Sequence, residues 1–261
     1  MNPVVPVPVD VKLMNLTAVA LALVFVLLGA VAAARALARL SAFDIRAITV
    51  TGQVAHNNAL TLRANVAPRL SGTFFSVDLA RVRAAFEAAP WVRRAVVRRD
   101  FPNRLRVDLQ EHQAVAYWGT DAEVRLLNSF GEVFEANVGE VEQDALPRLF
   151  GPDGQSAEVL AMYRALDPLF DQLELPLDQL DLSGGGSWRV RLDTGAAVEL
   201  GRGSVDEIVA RTRRFLSTLT QVASRYGRHV QSLESADLRH ESGYAIRLRG
   251  VSTAPRVVSK K

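Results

Sequence analysis

From Leu16 to Ala34 only Thr17 and Gly29 interrupt a run of apolar side chains. A helix through that run is long enough to cross about 30 Å of hydrocarbon, and a helix satisfies its own backbone hydrogen bonds while doing so. The competing reading is a cleaved signal peptide, because Ala32, Ala33 and Ala34 offer small residues to a signal peptidase. Against it, a signal's apolar region is usually about 7–15 residues, and the leader Met1–Asn15 carries only Lys12 and three prolines. The expectation is an uncleaved anchor over residues 16–36 with residues 1–15 as a short tail. Arg35, Arg39 and Arg46 follow the run and only Lys12 precedes it, so a count of positive charges would leave the large C-terminal part in the cytosol. Long domains are translocated despite such charges, and the residues alone leave orientation open.

The apolar block accounts for part of the 49% hydrophobic content of the 261-residue chain, and what remains has an ordinary globular composition. The sequence pI of about 9.6 invites a nucleic-acid reading, but the net charge is only +3, which steers weakly. Lysine occurs only at Lys12, Lys260 and Lys261, so nearly every positive charge is an arginine scattered among acids. With no cysteine there are no disulfides, thiolate zinc sites or cysteine nucleophiles.

Past a linker at Ala38–Phe43, the stretch Ile45–Thr51 reads as a strand ending at Gly52. Thr61–Leu70 and Leu79–Ala89 read as helices, each with one apolar stripe: Leu62, Val66 and Leu70, then Leu79, Val82 and Phe86. Phe74, Phe75 and Val77 between them read as a link that plugs the core. Pro90 stops the second helix, Trp91–Asp100 is Val- and Arg-rich, Pro102-Asn103 turns, and Leu105, Val107 and Leu109 alternate with polar residues as a return strand. Strand, helix, helix, strand, strand requires a three-stranded sheet covered on one face, a compact α+β module over 43–111. Hairpins dominate residues 112–250: Val124–Asn128 with Glu132–Glu135, then Trp188, Val190 and Leu192 turning at Asp193-Thr194-Gly195 to Val198–Leu200. Helices are expected at Ala157–Phe170 and Val205–Val222, a final strand pair at Val230–Leu238 and Tyr244–Leu248, and a loose tail over 251–261.

No local pattern for catalysis or metal binding emerges. His56, His112, His229 and His240 lack zinc-site spacing, and Ser183-Gly184-Gly185-Gly186-Ser187 precedes a strand where a phosphate loop would open a helix. Arg93, Arg94, Arg98 and Arg99 lie on a presumed strand, alternate between faces, lack interleaved aromatics and have acids nearby, so they read as a solvated sheet face. Trp91, Tyr117, Trp118 and Trp188 read as core anchors. No catalytic, cofactor or metal residues are expected, and neither nucleic acid nor a small-molecule substrate. The last strand, Tyr244–Leu248, has one obvious sequence neighbour. Its other edge can be a protected one, with Arg247 and Arg249 supplying the charge, or a site of strand addition by another polypeptide.

Several stretches occur in the order found in the FtsQ family: Phe74-Phe75-Ser76-Val77-Asp78, Trp91-Val92-Arg93-Arg94-Ala95, Phe101-Pro102-Asn103-Arg104-Leu105, Glu111-His112, Asn128-Ser129-Phe130-Gly131-Glu132-Val133-Phe134 and Ala236-Asp237-Leu238-Arg239. The chain resembles that family from Leu16 to Leu248, and its first module is similar to a POTRA domain. The resemblance implies a short cytoplasmic tail, one inner-membrane helix, and periplasmic POTRA and β domains concentrated at the division septum. It implies a non-enzymatic role in the bacterial divisome, linking early and late division proteins by binding the FtsB and FtsL pair through the last strand. Carried over by position, Arg239, His240, Ser242, Gly243 and Tyr244 fall in that contact surface, with Ala245, Ile246, Arg247 and Leu248 as the strand itself. His240 stands where many relatives have tyrosine, and Arg247-Leu248 where some have small and aromatic residues. The alternative is a POTRA-type accessory that handles envelope proteins during assembly or transport. That class needs a C-terminal barrel or several POTRA modules, and neither is found here. A membrane-anchored hydrolase is disfavoured by the failed motif search.

Overall fold

The structure is a computed structural model that describes residues 9–38, 43–52, 54–56, 62, 66–120, 123–141, 146–240 and 243–251. Its first helix, α1, spans Val9–Ala38 and so takes in the second half of the leader as well as the apolar run. It begins just after Pro8, where a proline-rich stretch gives way to residues with free N–H groups. The apolar window Leu13–Leu37 is not buried anywhere along its length, and Phe25 is 78% exposed. Such a surface fits a helix whose solvent is lipid.

The chain divides into two compact units at Glu111/His112. In the first, β1 (Ala47–Gly52), β2 (Val92–Asp100) and β3 (Arg104–Glu111) form a sheet in the order β1-β3-β2, with β1 parallel and β2 antiparallel to β3. Helix α2 (Leu79–Glu87) is capped by Asp78, whose side chain accepts from the Ala80 and Arg81 amides at 2.9 and 3.2 Å. It buries Val82, Ala85 and Phe86 against Leu105, Val107 and Leu109 of β3. Of the helix expected over Thr61–Leu70, Leu62 and Val66 are buried, Ala67–Arg69 form a short 3-10 turn and Leu70 is already extended; residues 61 and 63–65 lie outside the described residues. Gly52 holds φ at +101°, and a Cβ there would stand 2.2 Å from the Leu109 carbonyl oxygen, so only glycine lets β1 close on β3 at that point.

The link Phe74–Val77 departs from expectation. Phe74 and Val77 are buried, but Phe75 is 49% exposed. Arg99 is exposed as expected, but it is also tied down: it donates through Nε to the Phe74 carbonyl at 2.7 Å and through Nη2 to the Val77 carbonyl at 2.8 Å. A guanidinium fork is shaped for such paired acceptors.

The second unit has a nine-stranded sheet among its described residues: β4 (Ala114–Trp118), β5 (Arg125–Asn128), β6 (Val133–Phe134), β7 (Arg148–Phe150), β8 (Leu177–Leu182), β9 (Trp188–Leu192), β10 (Ala197–Gly201), β11 (Leu233–Asp237) and β12 (Ala245–Leu248). Their spatial order is β12-β11-β10-β9-β8-β7-β4-β5-β6. Most pairings are antiparallel, but β4-β7, β7-β8 and β10-β11 are parallel. Parallel neighbours need a crossover, and helix α3 (Ser156–Asp171) joins β7 to β8 while α4 (Val205–Arg225) joins β10 to β11. Both helices contribute to the core: Val159, Leu160, Leu166 and Phe170 from α3 and Ile208, Phe215 and Leu219 from α4 pack with Trp188, Val190 and Leu192. The sequence pattern assigned no strand to β4, β7 or β8. β7 has three residues, and a bulge between Leu177 and Gln179 breaks the two-residue alternation of β8. Val230–Ser232, expected as the start of a strand, form a 3-10 turn before β11.

Candidate functional site

Among the described residues β12 lies at one edge of the nine-stranded sheet and pairs only with β11, in the register Asp237↔Ala245, Ala236↔Ile246, Ser235↔Arg247 and Leu233↔Leu248. The bulge that offsets this ladder is on β11, between Leu233 and Ser235, so β12 keeps its regular alternation. The Arg249 amide donates inward to the Ser232 carbonyl at 2.8 Å. Counting back by twos, Arg247 and Ala245 face β11, and the N–H and C=O of Ile246 and the N–H of Leu248 face the open side, while the Leu248 carbonyl accepts from the Val251 amide at 3.2 Å.

Side chains anchor the strand to α4. Ser204 caps that helix, and Glu207 closes a capping box by accepting from the Ser204 amide at 2.8 Å, a hydrogen bond that holds the Glu207 carboxyl below its usual range. The helix presents Phe215, whose ring meets Tyr244 edge-on at 5.0 Å, and Thr218, whose hydroxyl lies 2.6 Å from the Tyr244 hydroxyl. Leu248 is buried and Ile246 packs partly into the same core. Ala245 and Arg247 are exposed, with Arg247 Nε 3.6 Å from Glu234. Arg249 donates to the Thr194 carbonyl.

Arg239 and His240 leave the end of β11 exposed. Arg239 is partnered within the chain: its Nε and Nη2 reach the Asp237 carboxylate at 2.9 and 2.6 Å, and its amide donates to the same group at 3.0 Å. The side-chain hydrogen bond from Arg239, together with the charges of Arg239 and His240, holds Asp237 down to about 2. Gly243 is exposed and Tyr244 half-buried, while Ser242 lies outside the described residues. The structure therefore gathers Arg239, His240, Gly243, Tyr244 and the strand 245–248 along one margin. Beside them is a cavity of about 340 Å³ whose lining includes Arg211, Arg214, Phe215, Leu238, His240 and Tyr244. Arg211, Arg214 and Phe215 were not expected here. Their signal was the helical stripe of α4, which marks Phe215 as core but does not say which strand it will meet.

The margin combines outward backbone groups of Ile246 and Leu248, a pocket whose lining holds Arg211, Arg214 and His240 together with Glu207, and a hydrophobic footing. The other candidates have structural roles. His56, itself exposed, stacks on Trp91 at 3.9 Å, and the half-buried His112 stacks on Phe134 at 4.1 Å. Trp91, Trp118, Trp188 and Tyr117 are buried. Ser183–Ser187 is a turn, with the Gly186 amide donating to the Ser183 carbonyl at 2.9 Å. No group of metal-ligating side chains occurs among the described residues.

Comparison with known proteins fits this architecture. Residues 43–112 match the POTRA domain of FtsQ type, and residues 116–239 match the family described as cell division protein FtsQ/DivIB, C-terminal. The chain is 38% identical over 248 residues to the cell division protein FtsQ of Thiomonas arsenitoxydans, covering 94% of this chain and 90% of that one. It is 40% identical over 243 residues to the FtsQ of Burkholderia pseudomallei, covering 93% and 94%, and 34% identical over 206 residues to that of Shewanella oneidensis, covering 79% and 74%.

Proposed function

The chain belongs to the FtsQ family of cell-division proteins, and from that premise we propose that it is a membrane-tethered, non-catalytic scaffold of the divisome that captures the FtsB and FtsL pair by strand addition at β12. The observation that supports this reading is the open edge: among the described residues β12 has one neighbour, the N–H and C=O of Ile246 and the N–H of Leu248 face outward, and a pocket lined by Arg211, Arg214, His240 and Glu207 adjoins it. A partner strand laid there would extend the sheet, and an acidic side chain beside it would meet Arg211, Arg214 and His240. Arg239 contributes less freely, because engaging a partner acid means sharing it with Asp237. α1 serves as the single anchor, with the leader in the cytoplasm, both folded units in the periplasm and the protein concentrated at the septum. The domain limits that go with this reading are 43–111 for the POTRA module and 112–250 for the β domain.

Proline substitution tests the edge. In Ile246→Pro the missing N–H is on the open side, so the β11 pairing survives and titration calorimetry of the detergent-solubilised chain against the periplasmic FtsB segment should show binding weakened at least about tenfold. Ala245→Pro instead removes an inward donor and should loosen β12 from β11, which is visible as faster amide exchange at the strand. Wild-type affinity in a folded Ile246→Pro protein would rule out strand addition at this edge.

A further inference from the structure

The first unit carries an aromatic cluster that its own core does not cover. Phe74 is buried and serves as the hub: its ring lies 5.2 Å from Phe75 and 6.2 Å from Phe101, both edge-on, and Phe43 meets Phe75 at 4.9 Å. Yet Phe75 is 49% exposed and Phe101, at the tip of the β2–β3 hairpin, is 75% exposed. The cluster is rigidly built. The Phe74 amide donates to the Phe43 carbonyl at 2.7 Å, Asp44 forms a bridge with Thr73, and Arg99 ties down the carbonyls of Phe74 and Val77. Grouped phenylalanines held in water without an apolar cover indicate a contact surface.

Two features identify what covers it. The first is covalent reach. Phe43 is five residues beyond Ala38, the last residue of α1, so its Cα lies no more than about 18 Å from the end of that helix. With α1 spanning the bilayer, that tether keeps the cluster within reach of the headgroup layer, which extends roughly 5–8 Å beyond the hydrocarbon on each side. The second is charge. Arg46 and Arg104 are brought together at the same end of the sheet, where the Arg46 amide donates to the Asn103 carbonyl at 2.9 Å and Ala47 pairs with Arg104. Both are exposed, and neither has an ion-pair partner among the described residues. Guanidinium groups bind phosphate in a bidentate fashion, and aromatic rings beside cations are the composition of interfacial membrane anchors.

We propose that Phe43, Phe75 and Phe101, flanked by Arg46 and Arg104, seat this module on the phospholipid headgroup layer next to its own transmembrane helix. The proposal rests on α1 spanning the membrane and is independent of strand addition at β12. Its effect is to convert a tether into a fixed mount, so that the module keeps one end against the bilayer.

The test uses the full chain reconstituted in vesicles of equal parts phosphatidylglycerol and phosphatidylcholine, with acyl chains brominated close to the glycerol. Trp91, Trp118 and Trp188 are each 3% exposed or less, so an indole added by Phe101→Trp is read as a difference from the parent. The control is Val54→Trp, at an exposed position just past the far end of β1. Bromolipid should quench the new F101W emission by about twofold and leave the V54W emission unchanged. Arg46→Glu with Arg104→Glu in the F101W chain should restore about half of the lost emission, and far-UV circular dichroism confirms the fold. An F101W indole quenched no more than the V54W one overturns the proposal, as does one that bromolipid cannot reach while it is shielded from aqueous iodide, since a protein would then cover the site. Calorimetry with the FtsB segment reads the β12 edge separately, because none of these substitutions lies on it.

Discussion

Thr212 lies in the apolar stripe of α4 with Ile208, Phe215 and Leu219, fully buried, and its hydroxyl has no hydrogen-bond partner among the described residues. A hydroxyl stripped of water without a replacement partner is destabilising, and valine has nearly the same shape. Thr212→Val is expected to stabilise the second unit by about 1 kcal/mol, measured as slower amide exchange along α4. Asp237 offers a prediction in pH. Its carboxyl titrates at about 2, below the ordinary range, because Arg239 stabilises the anion. The Asp237–Arg239 clasp therefore contributes fully above about pH 4 and is lost as pH falls through about 2. Arg239→Ala should return the Asp237 titration, followed by carboxyl-carbon NMR, toward the ordinary value. At this scale the sequence was informative where one side chain decides the outcome. Trp188, Val190 and Leu192 alternate inward as their spacing predicts. It was uninformative where the deciding atom is a distant carbonyl, as for Arg99.

Elements were legible in proportion to their length and regularity. Both long helices of the second unit and the hairpins β2–β3 and β9–β10 follow from periodicity and turn residues, because each is stabilised largely by its own pattern. β4, β7 and β8 were not legible. A three-residue strand such as β7 owes its existence to neighbours on both sides, β4 and β8, and carries no pattern of its own. The edge status of β12 was read from its single sequence neighbour. The pocket beside it was missed, because it depends on the β10–α4–β11 crossover that sets Arg211 and Arg214 near the edge. The link before α2 shows the same dependence on remote groups. Arg99→Ala would leave the Phe74 and Val77 carbonyls without their charged donor and should destabilise that link by about 2 kcal/mol. Exchange of the Phe74 and Val77 amides would report the loss, and Arg99→Lys should recover only part of it, since an ammonium lacks the fork.

For the whole molecule, the decisive matter is which side of the membrane the two units occupy. The arginines after α1 favour the cytosol on a simple charge count, whereas the proposed scaffold works in the periplasm. A phosphatase reporter fused after Lys261 should be active, as it is only when exported, and activity of a cytosol-dependent reporter at the same position would reverse the topology. The way β1 is joined to β3 bears on how such a tether behaves under load. The anchor is attached ahead of β1, and the second unit follows β3 at Glu111. β1 and β3 are parallel, in register from Ala47↔Arg104 to Gly52↔Leu109. A pull between anchor and second unit thus enters β1 at its first residues and leaves β3 at its last, at opposite ends of one ladder. That geometry shears the pairing along its whole length, so the rungs resist together, whereas peeling would break them in turn. Forced unfolding is a matter of rate, set by the barrier to breaking those rungs. Tension applied between α1 and the second unit would therefore load the first unit's β1–β3 ladder in shear.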